Sequence, residues 1–216
     1  MKTKLAIYGA GGFGRETAAM ISQINQHKPT WEVIGFFDDG LKKNEEVDGL
    51  KILGGIDDLN SYSDNLSVCV AVADPLIRFG LVNKIINKKI SFPTFIHPSA
   101  VLGEMTRNVF GKGCIITAGV ILTTGIKLSD FCIINLTTTI GHDVKLGDCC
   151  TVMPGCSISG NVSIGKCSLL GTGSRIIQGI TIGENCMIGA GAVVTKNFDS
   201  NLKILGVPAR GRKLEA

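Results

Sequence analysis

Long apolar runs are missing from this chain. No segment approaches 18 continuous apolar residues, so no membrane-spanning helix and no membrane insertion are expected. The opening KTKLAIYGAGG carries an apolar stretch too short and too soon interrupted for a secretory signal, and the sequence reads as cytoplasmic. Clusters of one charge are also missing. A net charge of +4 over 216 residues, without a run of like charges or an aromatic RNA-binding motif, makes nucleic acid a poor partner while leaving small acidic substrates compatible. There are eight cysteines but no Cys-x-x-Cys pair, and the only histidines are His27, His97 and His142, so no metal centre is expected.

What the chain has in excess is glycine, 28 residues, together with a period of six. An apolar residue recurs through Phe110, Ile116, Leu122, Leu128, Ile134, Ile140, Leu146, Val152, Ile158, Ile164, Leu170, Ile176, Ile182, Ile188 and Val194. Six fits neither a helix nor a strand alternation, but it fits the hexapeptide repeat of a parallel β-helix, in which each hexad is one short strand plus a corner. Fifteen hexads at three per triangular turn predict five coils. Residues 18 apart then stack on successive coils at about 4.8 Å. Cys114, Cys132 and Cys150 form such a column, continued by Ser168 and Cys186, and Cys156 shares their place in the hexad. They read as reduced interior thiols.

Residues 1–94 have another texture. KLAIYGA, WEVIGFFDD and SVCVAVA read as strands, GFGRETAAMISQINQ and PLIRFGLVNKIINKK as helices, and the alternation predicts a small Rossmann-like α/β domain with a parallel sheet. The second domain, 95–216, follows at TFIHPSAVLG, where Leu102-Gly103 resembles a first hexad before the register slips by two. After Val194 the period is lost and ILGVPARGRKLEA reads as a short basic tail.

Gly9, Gly11 and Gly14 form a GxGxxG directly after a strand and opening a helix, where backbone and helix N-terminus can receive phosphate. Asp38 and Asp39 stand where a ribose-binding acid belongs. Without a second mononucleotide half, the domain suits a nucleotide or nucleotide sugar better than a dinucleotide, and the glycines can alternatively serve packing alone. His27 reads as solvated in a polar loop and His97 as structural. His142 falls near an outward corner beside Asp143, as a general base with its orienting carboxylate or as a surface histidine with a chance acidic neighbour. Gly160 lies one coil above it, and the neighbouring column holds Pro154, Thr172 and Ala190, small or flat residues that leave a groove suited to the space between two prisms of an oligomer.

GAGGFGRE, FFDD, AVADPLIR, FIHPSAVLG, IGHDVKLGD and GVPAR together resemble the hexapeptide-repeat acyltransferases, specifically the sialic acid O-acetyltransferase-like family that includes bacterial nucleotide-linked 4-amino-sugar N-acetyltransferases. The resemblance spans nearly the whole chain. It implies a left-handed β-helix, a homotrimer with acetyl-CoA between neighbouring prisms, and a sugar nucleotide held by the α/β domain. It implies His142 as base and Asp143 as its orienter. Gly11, Gly12 and Phe13 match the loop on the sugar nucleotide, Asp38 and Asp39 the acids near its base or ribose, and Ala73 a backbone contact where relatives often have glycine. Thr151 takes the place of a second histidine near the thioester, leaving its backbone N–H as donor, and with Gly160, Thr172 and Ala190 it makes up the acetyl-CoA side, Ala190 replacing a frequent glycine. The implied reaction is direct acetylation, without metal, of the amino group of a UDP- or dTDP-linked 4-amino-4,6-dideoxyhexose for surface polysaccharide or glycan synthesis. O-acetylation of sialic acid or a similar hydroxyl is the alternative, and a non-catalytic β-helical scaffold a third reading.

Overall fold

The computed structural model describes residues 2–214. Its first part runs β1 (Thr3–Tyr8), α1 (Gly12–His27), β2 (Trp31–Phe37), β3 (Glu46–Val47), β4 (Leu50–Gly54), α2 (Ile56–Asn60), β5 (Leu66–Val70), α3 (Pro75–Lys84) and β6 (Ile90–Ser91). The strands form one sheet in the order β3-β4-β2-β1-β5-β6, parallel except at β3. Leu5, Ala6, Ile7 and Val68 on the central strands are fully buried, because a parallel sheet is covered on both faces. The β3–β4 hairpin turns at Asp48 and Gly49, with φ of 48° and 77°. Asp-Gly between two short apolar runs is a hairpin signal, although the sequence expectation has no strands there. α1 ends on His27, which is therefore helical rather than in a loop. α3 stops at Lys84, short of the expected Lys89, because asparagines take over the backbone: Ile86 N–H donates to Asn60 Oδ1, and Asn87 Nδ2 donates to the Leu59 and Tyr62 carbonyls.

From Phe95 the chain winds into a three-sided parallel β-helix of two-residue strands. Ile116 pairs with Ile134, Leu122 with Ile140 and Leu128 with Leu146, the 18-residue register expected of the repeat. One face takes a strand from every coil and holds six strands, so the prism has one coil more than the strict repeat predicts. Phe95–Ile96 and Val101–Leu102 begin that coil, and the slip noticed at Gly103 is an outward excursion that returns to register at Val109–Phe110. At the other end the basic tail is ordered. Leu202–Leu205 pairs with Met187–Ile188 and folds back antiparallel onto Arg210–Lys213, with Ile204 and Ala209 buried as a cap on the last coil.

The interior is the predicted aliphatic stack together with the thiol column. All eight cysteines are free and buried. Cys114, Cys132 and Cys150 donate to the carbonyls of Ser129, Gly147 and Gly165 at 3.2, 3.2 and 3.1 Å, and Ser168 does the same to Gly183 at 3.2 Å. A short donor is what the column needs, so serine and cysteine interchange there.

Three sheets give the prism three outer faces, and their chemistry differs. The first carries Phe95, Ile115 and Ile133, all buried against Leu5, Ile7 and Phe36 of the α/β domain. At the equivalent positions another face carries exposed Lys127 and Lys145. The apolar face is therefore the seat of the α/β domain.

Every corner is made the same way. Each sixth residue from Gly113 to Gly191 has φ between 52° and 76°, and seven of these are not glycine: Phe131, Thr137, Asp143, Cys149, Asn161, Cys167 and Asn185. The left-handed region costs an ordinary residue about 1–2 kcal/mol and suits Asn and Asp best. Thr137, β-branched at φ 56° and exposed, is the least suited. Thr137→Asn is expected to stabilise the protein by about 0.5–1 kcal/mol, read as a higher urea midpoint at unchanged slope.

Candidate active site

At the carboxyl ends of β1, β2 and β5, Tyr8, Gly9, Asp38, Asp39, Val72, Ile77, Gly80 and Lys84 line a cleft of about 360 Å³. Its acids are held by the fold. Asp38 Oδ2 accepts from Ala10 N at 2.8 Å and its Oδ1 from Gly40 N at 2.9 Å. Asp39 Oδ2 accepts from the Tyr8 hydroxyl and its Oδ1 from Ile56 N, both at 2.8 Å. Burial, followed by that bond to Asp39, pushes the Tyr8 phenol well above its ordinary pKa and keeps it a donor. Gly11 caps α1 without a side-chain partner, and a methyl on Gly11 or Gly12 would meet only open space. Both residues are exposed, and the first N–H groups of a helix have no partner within it, which is what an anion site requires.

The glycines of the motif divide by task. Gly9, at φ 102°, lies so close to the next strand that a methyl would come within 2.9 Å of the Ala71 carbonyl oxygen. Gly14 is buried, and a methyl there would run into the Gly9 carbonyl. Gly14 therefore does not face the cleft, which corrects its expected place among substrate contacts: it lets α1 approach β1. Phe13 also lies apart from the acids. With Met20, His97, Asn135 and Leu136 it lines a pocket of about 250 Å³ between α1 and the prism. His97, which the sequence reads as structural, has its ring between Ser99 Oγ at 2.7 Å and Gln23 Oε1 at 2.9 Å.

On the prism, His142 Nδ1 lies 3.0 Å from Asp143 Oδ2 with both side chains about half exposed, 52% and 57%. The corner produces this pair. Asp143 occupies the left-handed position at φ 59°, which turns its carboxylate back over Gly125, one coil below, and beside the imidazole. Asp143 accepting from Nδ1–H leaves Nε2 as the ring's free acceptor. Gly160, one coil above, leaves the ring its space: a methyl there would overlap Nε2 and lie 2.6 Å from Cε1 and 2.7 Å from Cδ2 of His142.

Thr172 and Ala190, both exposed, and half-buried Pro154 stand on a different corner from His142 and Gly160, so a whole sheet separates the two rims within one chain. Among the described residues the backbone N–H groups of Gly160, Thr172 and Ala190 have no acceptor within the chain. Thr151 is elsewhere. It is fully buried on the face that seats the α/β domain, and its N–H donates to Ser168 O at 2.9 Å in the ladder. Its expected place as an acetyl-CoA donor is thereby corrected. Its hydroxyl instead donates to Ala73 O at 2.7 Å and accepts from Arg78 Nη2 at 2.8 Å. Ala73 is correspondingly turned inward by its carbonyl, and Val72, its neighbour, lines the cleft.

The sequence reading missed Arg78, Val72, Ile77 and Lys84. The signal for Arg78 was a lone cation in the apolar stretch LIRFGLV, three residues from Pro75 and Leu81 on the buried side of α3. Among the described residues no group of three or more His, Cys, Asp or Glu is placed to hold a metal ion, and no helix is long and apolar enough to cross a membrane. Burial pushes the Cys149 thiol up to about 11 and that of Cys150 up to about 12, far from a thiolate nucleophile.

Residues 4–85 match the PglD N-terminal domain family, and residues 161–196 match the bacterial transferase hexapeptide (six repeats) family. The acetyltransferase domain of PglB from Neisseria gonorrhoeae, solved in complex with acetyl coenzyme A, is 30% identical, with a TM-score of 0.88 over 98% of this chain and 100% of that one. PerB from Caulobacter crescentus, solved with CoA and GDP-perosamine, is 29% identical, with a TM-score of 0.86 over 97% of each chain. GDP-perosamine N-acetyltransferase of Escherichia coli O157:H7 is 32% identical over 126 residues, which is 58% of this chain and 56% of that protein, so the match spans little more than half of the curated relative.

Because a methyl at Gly160 would occupy the place of the imidazole, Gly160→Ala is expected to swing the ring off Asp143. In 15N spectra of the ring nitrogens, the wild type is expected as the Nδ1–H tautomer and the variant is expected to shift toward Nε2–H, with the unfolding midpoint unchanged within about 2 °C, a shift well under 1 kcal/mol.

Proposed function

This chain belongs to the PglB and PerB type of hexapeptide-repeat nucleotide amino-sugar N-acetyltransferases, and on that premise we propose that it transfers an acetyl group from acetyl-CoA directly to the amine of a nucleotide-linked amino sugar. The observation that carries the reading is the His142–Asp143 pair on an exposed corner, with Nε2 unengaged beside Gly160. As the amine attacks the thioester carbonyl, His142 Nε2 accepts its proton and Asp143 steadies the imidazolium that forms. The thiolate of CoA leaves when the tetrahedral intermediate collapses. A backbone N–H stabilises the oxyanion, an effect worth about 3 kcal/mol in acyl transfer generally. With the Thr151 amide committed to the ladder, the free amides on the Gly160 and Thr172–Ala190 rims are the donors that remain.

Those two rims support the oligomeric part of the proposal. His142 and Gly160 occupy one corner and Thr172 and Ala190 another, so a groove touching both is built when a second prism brings its own rim alongside, as in a homotrimer with sites between subunits. The α/β cleft takes the nucleotide: the exposed helix start at Gly11 and Gly12 receives phosphate, and Asp38 and Asp39 lie in reach of ribose or base. The sugar then extends from there past Phe13 toward the prism. Its class is a 4-amino-4,6-dideoxyhexose. The sequence resemblance favours UDP or dTDP as carrier, whereas the relatives named for their substrate use GDP-perosamine. N- rather than O-acetylation is favoured by those same named relatives.

Two measurements test this. Melting the protein with UDP-, dTDP-, GDP- and CMP-linked sugars is expected to raise the midpoint for one of the first three, since a ligand at a hundred times its Kd adds about 2.7 kcal/mol. No shift with any of them removes the nucleotide role of the α/β domain. His142→Ala is expected to lower turnover about a hundredfold or more with the oligomer and melting midpoint unchanged. Near-normal turnover would take His142 out of the mechanism.

A further inference from the structure

Among the described residues Arg78 has the largest fully buried side chain, at 1% exposure, and no carboxylate is among its partners there. Its Nε donates to Phe131 O at 3.0 Å, and Nη2 donates to Cys149 O at 2.8 Å, Cys150 O at 3.2 Å and Thr151 Oγ1 at 2.8 Å, all on the prism. Nη1 reaches the other way, to Val72 O at 2.5 Å and Ala73 O at 3.1 Å. Thr151 closes the circuit by donating to the same Ala73 carbonyl at 2.7 Å. One guanidinium therefore joins two corners of the prism to a single turn of the α/β domain.

That turn is a wall of the cleft. Val72 lines it, and Asp74 caps α3 by accepting from Leu76 N and Ile77 N, both at 2.9 Å, which sets where Ile77 and Gly80 stand along the same wall. Gly9 of the phosphate loop packs on it as well, since a methyl there would be 2.9 Å from Ala71 O and 3.3 Å from the Val72 side chain. A buried cation is costly unless its donors are satisfied, and a planar five-donor fork has one good orientation among fixed carbonyls. Neither lysine nor a neutral residue reproduces it. If the only need were to glue the domains, the apolar face of Phe95, Ile115 and Ile133 already does so.

We propose that Arg78, with the Thr151 hydroxyl, is a positioning residue for substrate: it holds the 71–74 turn against the prism, setting the nucleotide cleft and its distance from the acetyl-transfer corner. The inference rests on the reading of that cleft as the nucleotide site. It gives Thr151 a different role from the thioester contact that the family resemblance implied. The geometry also explains why the links come from corners. The carbonyls of Phe131 and Cys149 belong to left-handed residues at φ 56° and 54°, in the column of corners facing the α/β domain.

The test compares Thr151→Val, which keeps the shape and removes the hydroxyl, with Thr151→Ser, which restores it, and with Arg78→Lys, all in the full chain. Calorimetric titration with UDP, dTDP and GDP and, separately, with acetyl-CoA reads each site. Thr151→Val is expected to weaken the nucleotide that binds wild type about tenfold, Arg78→Lys more than that, and Thr151→Ser less than threefold, while acetyl-CoA affinity stays within twofold in every folded variant. If Arg78→Lys does not fold, the Val and Ser pair decides. A Thr151→Val protein with a lower melting midpoint and unchanged nucleotide affinity would show a merely structural tie and overturn the proposal. Equal weakening of both ligands overturns it too. Failure of wild type to bind any of the three nucleotides sinks the cleft reading and this inference together, whereas wild-type binding with unaffected variants sinks the inference alone.

Discussion

A left-handed backbone corner at every sixth residue is the constraint on which the prism depends. It brings residues 18 apart into register, which is why one aliphatic column can fill the interior and one thiol column can satisfy the carbonyls beside it. It also sorts residue types. Glycine, asparagine and aspartate occupy most corners because their short side chains accept positive φ, and Phe131, Cys149 and Cys167 are held there by burial against the α/β domain. The catalytic candidate follows from the same rule. Asp143 is an aspartate at a corner, and the turn of that corner places its carboxylate against the Nδ1 of the residue before it.

A prism built this way has three similar faces, so something must choose where the second domain sits. The choice is written in the outward residue of each strand, read from one coil to the next: Phe95, Ile115 and Ile133 make one face apolar, while Lys127 and Lys145 keep another in water. Hydrophobic burial supplies the docking and Arg78 supplies the orientation. An apolar patch can slide by a fraction of a residue at little cost, whereas a guanidinium shared among fixed carbonyls cannot.

The predicted site residues prove to be spread over distinct places. Gly9, Asp38 and Asp39 share one cleft, Phe13 faces another pocket beside the prism, His142 and Gly160 stand on one corner, and Thr172 and Ala190 on a second. Such a spread suits two substrates that meet at a junction between parts, with binding and chemistry on separate rigid units. Gly14 and Thr151 fall outside it because their surroundings are protein on every side.

Periodicity made the prism legible before any coordinates, since a six-residue repeat is a local property that needs no knowledge of what packs where. The thiol column and the outward place of His142 followed from it by counting. The extra coil and the ordered C-terminal cap were not legible, because Ile96, Leu102 and Ile204 join the stack by pairing across breaks in the period rather than within it. The α/β domain showed its alternation and its glycine motif, but not which glycine meets ligand and which meets backbone. Only the approach of α1 to β1 separates Gly11 from Gly14. Arg78 and Thr151 lie 73 residues apart and nothing in either segment names the other. Their contact exists because the docked domains bury a cation whose donors must then find acceptors, a demand that arises in three dimensions alone.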